Sequence, residues 1–220
     1  VRNLNTRRVQ ADEIWSFVYA KAKNVPEEKK APGVGDVWTW TATDADAKLM
    51  ISYLVGGRDA GFAFEFMQDV ASRLSNRVQL TTDGHRPYLE AVEDTFGADI
   101  DYAQLVKIYG TEQLPSESRY SPPKCLGARP HTVTGNPDEK HISTSYIERQ
   151  NLTMRMMNRR FTRLTNAFSK KIENHKHSVA LHFMHYNFCR IHKTLRVTPA
   201  MEAGLSNHVW EIEEIISLLN

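Results

Sequence analysis

The stretch VQADEIWSFVYA, residues 9–20, most constrains the fold. Under the two-residue alternation of a strand, Val9, Ala11, Trp15 and Phe17 fall on one side, and Ile14 and Val18 on the other. A strand apolar on both sides needs cover on both sides, which places it in the middle of a sheet. An acid, Asp12, sits inside this strand. Burying a carboxylate is costly unless it is paired, hydrogen-bonded or bound to metal. Judged alone, pairing with an Arg or Lys nearby in space is the ordinary reading.

The remaining elements follow from periodicity and punctuation. KAKNVPEEKKAPGVG reads as a loop, and residues 36–45 and 49–57 as two strands of a hairpin. Residues 60–75 have helical period, with Phe62, Phe66, Val70 and Leu74 in register. RVQLTTD (77–83) reads as a strand, residues 85–97 as a helix opened by Pro87 and stopped by Gly97, and residues 99–110 as a strand. Residues 111–143, rich in Pro, Ser, Gly and Thr, read as a long irregular insertion. Residues 142–171 read as a long helical segment broken near Thr162–Asn166. Helices are predicted over 177–192 and 209–219, the last with Val209, Ile212, Ile216 and Leu219 on one face, and a short one opens at Thr198-Pro199. Three strands followed by alternating helices and strands predict an α/β fold: a ribonuclease-H-like mixed five-stranded sheet with helices on both faces, plus C-terminal helices. The division expected is a linker at 1–8, a catalytic domain at 9–171 and a helical extension at 172–220.

Composition excludes some classes. No apolar run approaches the roughly 20 residues that cross a bilayer, so no membrane partner is expected and a cytoplasmic, nucleoid-associated location is the default. Cys125 and Cys189 form no Cys-x-x-Cys pair, so neither a zinc ribbon nor a disulfide framework is expected. The net charge of +2 says little, but its distribution says more. Seven basic residues (Arg149, Arg155, Arg159, Arg160, Arg163, Lys170 and Lys171) follow Glu148 with no acid until Glu173. Such a run is either a solvated helix face or a surface that tracks phosphates.

Two further acids stand at suggestive places. Asp83 ends a predicted strand before Gly84, where α/β folds open toward ligands, although Asp is also a common helix cap. Glu148 lies in a first helical turn, where a lone Glu usually complements the helix dipole. Arg155 is seven residues on, about two turns and about 10 Å away on the same face. Arg149, Asn151, Arg159 and Arg160 add donors nearby. Hard divalent cations take oxygen ligands, and two such ions about 3.5–4 Å apart can clamp the attacking and leaving oxygens of a phosphoryl displacement. Asp12, Asp83 and Glu148 together suit Mg²⁺, two ions being expected, with Mn²⁺ able to substitute.

QADEIWSFV, LTTDGHRPYLEAV and TSYIERQNLTMRMMNRRFTRLTNAFSKK resemble the DDE-type transposases of bacterial insertion sequences, most closely those of the insertion-sequence-one kind. The resemblance runs from about Val9 to Leu195, and its most specific parts are D-E-x-W-S-F-V and Y-I-E-R-x-N. It implies that Asp12, Asp83 and Glu148 are the three metal-binding catalytic acids and that Arg155 contacts DNA. It further implies cleavage of element ends and transfer of the freed 3′-hydroxyl to target DNA by a homodimer or higher assembly. Family members also carry an upstream zinc-finger and helix-turn-helix region that nothing here matches, so recognition of end sequences is not expected of this chain. The alternatives are a ribonuclease-H-like nuclease or resolvase that cuts without joining, and a decayed or domesticated transposase fragment that only binds DNA.

Other signals are discounted. His182, His185, Cys189 and His192 recur along one helix, but the first and last are about 15 Å apart, too far to share an ion. Glu13 points to the opposite face of a regular strand from Asp12 and is the weaker ligand. Asp36, Asp44, Asp46 and Asp101 are spare acids near strand ends. Trp15, Trp38 and Trp40 read as core, and Arg190 and His192 as helix packing or DNA neighbours.

Overall fold

The structure, a computed structural model, describes residues 1–110, 125–162 and 166–218. Strand β1 (Arg8–Val18) pairs antiparallel with β2 (Gly35–Asp44), which pairs antiparallel with β3 (Met50–Gly56). Helix α1 (Ala60–Arg73) leads to β4 (Gln79–Asp83), which lies parallel to β1 on its other side. Helix α2 (Pro87–Phe96), β5 (Asp101–Tyr109, parallel to β4) and β6 (Cys125–Thr134, antiparallel to β5) complete the sheet in the order β3-β2-β1-β4-β5-β6. Four helices follow: α3 (Ser145–Met157), α4 (Ile172–Met184), α5 (Pro199–Glu202) and α6 (Ile212–Ser217). The arrangement is compatible with a ribonuclease-H-like fold.

The two faces of β1 organise two cores. Val9 and Ala11 pack with Trp40, Phe66, Val70 and Tyr88, so α1 and α2 cover that face. Ile14 and Val18 pack with Ile147, Met154, Val179 and Phe183, so α3 and α4 cover the other. Polar groups on the second face are also bound: Gln10 Oε1 accepts from the first-turn amides of Tyr146 and Ile147 at 2.9 and 3.1 Å. These bonds satisfy donors that a helix start otherwise leaves open, and they fix α3 against β1.

Four expectations are corrected. The sheet has six strands rather than five, because β6 forms within the stretch read as irregular. Residues 125–133 are all exposed, and Pro130 sits in an edge strand, where a missing amide costs little. A strand solvated on both faces shows no alternation to read. The long helix ends at Met157, where the Asn158 side chain accepts from the amide of Arg160 and opens a 3-10 turn. Ile147, Met154 and Phe161 are all buried at a spacing of seven, which imitates a continuing helix. The 177–192 helix starts earlier, at Ile172, and ends in a π-helical turn over His185–Cys189, leaving Ile191 exposed. The last helix spans only Ile212–Ser217, with Ile212 and Ile216 exposed; Leu219 lies outside the described residues. Among the described residues no helix is long and apolar enough to cross a membrane.

Candidate active site

β1 and β4 run in parallel only from Arg8↔Gln79 to Ala11↔Thr82. The chain then leaves β1 toward β2 on one side and β4 toward α2 on the other. This is the point where strand order reverses, and parallel sheets open there into a crevice. A cleft of about 350 Å³ lies at this point, and Asp12, Asp83 and Glu148 all line it. Three acids from β1, the end of β4 and the first turn of α3 therefore face one hollow.

Asp12 is the first β1 residue past the β4 pairing. Its Oδ1 accepts from the amide of Glu13 at 2.8 Å and its Oδ2 from Asn151 Nδ2 at 2.8 Å. Burial, then the charges of Glu13 and Asp83, push its carboxyl up to about 7. Asp83 uses one oxygen to accept from the amide of His85 at 3.0 Å, which shapes the turn into α2. That satisfies the capping tendency of an Asp here without placing it at the helix cap, which is Arg86. Glu148 accepts from Thr144 Oγ1 at 2.5 Å and pairs with Lys107 Nζ of β5 at 2.8 Å. Burial lowers the Lys107 ammonium, but the hydrogen bond and charge of Glu148 outweigh it and leave its pKa raised.

Glu13 belongs nearer the centre than strand parity suggested. One carboxylate oxygen each from Asp12, Glu13 and Asp83 lie within 4.8 Å of one another, the one such acid, His or Cys group among the described residues. Glu13 does point to the α1/α2 face, where Tyr88 Oη donates to it at 3.1 Å. Beyond Ala11 there is no β4 partner to screen one face from the other, so both carboxylates reach the gap. Glu13 is paired with Arg58, whose Nη2 lies 2.5 Å and Nε 2.7 Å from Oε1. Burial and Asp83 raise the Glu13 pKa, against the lowering by Arg58. Arg58, Lys107, Thr144 and Tyr88 escaped the sequence reading. Arg58 stands alone in a turn and Lys107 on a strand with no basic run, and only the adjacency of Asp12 and Glu13 pointed to a doubled acid.

Two of the basic residues after Glu148 are bound within the fold. Asn151 is buried and its amide donates to Asp12. Arg155 donates to the carbonyl of Phe161 at 3.2 Å and Arg160 to Ser169 Oγ at 3.0 Å, so both brace the chain after α3. Arg149, Arg159, Lys170 and Lys171 are exposed. Arg163 lies outside the described residues.

The donor set is all oxygen. Crowded acids repel one another when ionised, a repulsion that a cation relieves, so the residues fit a hard divalent ion. No family model and no curated protein matches the chain. Among solved structures, a chain of the piggyBac transposase synaptic complex with hairpin DNA is similar at a TM-score of 0.39 and 12% identity, the match covering 80% of this chain. This chain spans 44% of that one, and at that TM-score the likeness bears on neither mechanism nor residue roles.

Proposed function

We propose that the chain is a divalent-metal-dependent phosphoryl-transfer enzyme acting on DNA, a transposase that cleaves element ends and joins the 3′-hydroxyl to target DNA. The observation that carries this reading is the convergence of Asp12, Asp83 and Glu148 on one cleft from positions far apart in sequence. Asp12, Asp83 and Glu148 would hold the metal. Bound divalent ions supply activation of the attacking water or hydroxyl and stabilisation of the leaving oxygen.

The protein's own groups set up that chemistry. Asn151 fixes the Asp12 carboxylate from α3, and Thr41 Oγ1 in turn donates to Asn151 Oδ1 at 3.4 Å. Thr144 orients Glu148 from just before the same helix. Lys107 balances Glu148 and Arg58 balances Glu13, so the cleft carries two cations beside its acids. Arg58 also stacks over the Trp38 ring at 4.4 Å, which holds the guanidinium at the rim.

The test is a nicking and strand-transfer assay with Mg²⁺ or Mn²⁺ on DNA carrying a free 3′-hydroxyl. Asp12→Asn, Asp83→Asn and Glu148→Gln are each expected to lower the rate at least about a thousandfold while leaving DNA affinity in place. Cleavage without joining would assign a nuclease or resolvase. No metal-dependent cleavage by the parent would end the reading.

A further inference from the structure

On the far side of α3 from the acid cleft is a second hollow of about 400 Å³. Its lining includes Lys48, Arg149, Arg190 and Lys193, and no acid. Among the described residues none of these four cations is ion-paired. His192 lines the same hollow, and burial followed by the charges of Lys48, Arg190 and Arg149 holds its imidazole below the ordinary value. Like charges gathered in a concave wall repel one another, and an anion that enters relieves that repulsion.

Gln150 supplies an independent sign. The residue is only 4% exposed and lines this hollow, yet among the described residues its Nε2 has no hydrogen-bond partner. A buried amide donor left open costs about 1–3 kcal/mol, which turning the Gln150 amide to an acceptor oxygen in the hollow would recover. Tyr146 adds an aromatic wall, with the Lys48 ammonium 3.2 Å from its ring centroid.

We propose that this hollow binds a backbone phosphate of the DNA whose neighbouring segment lies at the acid cleft, with Gln150 donating to a phosphoryl oxygen and Arg149, Arg190 and Lys193 supplying the charge. The two hollows share α3 as their common wall: Thr144 and Glu148 line one, and Tyr146, Arg149 and Gln150 the other. Adjacent sites of opposite character on one helix suit a polymer of phosphates better than a free small anion. The inference deepens the DNA-transferase reading, but its measurement is of binding rather than chemistry.

The experiment measures the affinity of a fluorescein-labelled 20-base-pair duplex by anisotropy across a salt series, in EDTA. Arg149 and Lys193 are exposed, so Arg149→Gln with Lys193→Gln leaves the fold in place, which a thermal melt checks. The log–log salt slope is expected to fall by about 0.9, the contribution of one phosphate contact in B-DNA. Gln150→Leu is expected to weaken binding about tenfold with the slope unchanged, because it removes a donor and no charge. An unchanged slope in the double variant overturns the proposal, even if the parent cleaves DNA. Loss of slope in a protein that never cleaves would sustain this hollow and sink the catalytic reading instead.

Discussion

Asp12 sits in β1 with its carboxyl titrating near 7, because burial and the charges of Glu13 and Asp83 all disfavour the anion. Its folded pKa lies above the unfolded value of 3.8, so the stability it contributes is full below that value and is lost as pH rises through about 7. The metal-free protein is therefore strained at alkaline pH by a group that chemistry needs. Asp12→Asn is expected to raise urea-unfolding stability at pH 8 by roughly 1–3 kcal/mol, and the gain should vanish near pH 4. A variant no more stable than the parent at pH 8 would show that the carboxylate is solvated. Asp12 stood out in sequence as an acid inside a strand apolar on both sides, and Asp83 and Glu148 as acids where a strand ends and a helix begins. Glu13 was undervalued because alternation separates the faces of a paired strand, and here the β4 pairing stops at Ala11. The bond from Asn151 to Asp12 was not legible in sequence, because a helix residue among arginines looks solvent-facing, whereas its amide turns in to Asp12.

Elements with one buried face were legible, and those without were not. β1 through β5 carry apolar side chains that alternate or run together, so their order emerged correctly. β6 offers no such signal and is held by its partner. Its C-terminal turn depends on Gly135, whose φ is +71°, a conformation side chains rarely adopt. A Cβ there would lie 2.6 Å from the carbonyl oxygen of Ile100 and 2.3 Å from Asp101 Oδ1. Asp101 is also the acceptor for the amide of Asn136 at 2.8 Å and the partner of Arg77 at 2.8 Å. Gly135→Ala should cost about 1–3 kcal/mol, with amide hydrogen exchange accelerated in residues 125–134 before β1. Exchange unchanged in that strand would mean that β6 does not depend on the turn. The end of α3 was illegible for the opposite reason: Phe161 keeps the buried seven-residue spacing of Ile147 and Met154 although the helix has already stopped.

Across the whole molecule, a buried polar chain ties the C-terminal helices to the sheet. Ser16 Oγ of β1 lies 3.1 Å from His175 Nε2 of α4, and Ser169 Oγ lies 2.9 Å from Nδ1. Arg160 donates to Ser169, and the amide of Tyr19 donates to the carbonyl of Ser169 at 2.7 Å. Burial, with Arg160 nearby, lowers the His175 pKa to about 4. A depressed pKa means that its stability is present above about 6.5 and lost as pH falls through about 4, when the unfolded chain takes up the proton first. His175→Ala is expected to cost about 2–4 kcal/mol at pH 7.5 and to flatten the loss of stability between pH 6.5 and 4. A parent-like pH profile in that variant would exclude His175 as a source of the acid sensitivity. Nothing in NHKHS marks this histidine in sequence, because its partners Ser16 and Ser169 lie on other segments.

Positions 148 and 149 of α3 look into different hollows, one acidic and one basic, though they are neighbours in the chain. Consecutive residues of a helix differ by about 100° of azimuth, so the helix works as a dial with two settings. Deleting one residue from its first turn would bring an arginine to the acid cleft and carry the glutamate into the buried place of Ile147. Drift in the length of this turn is therefore closed off, whatever freedom the surface residues of the helix retain.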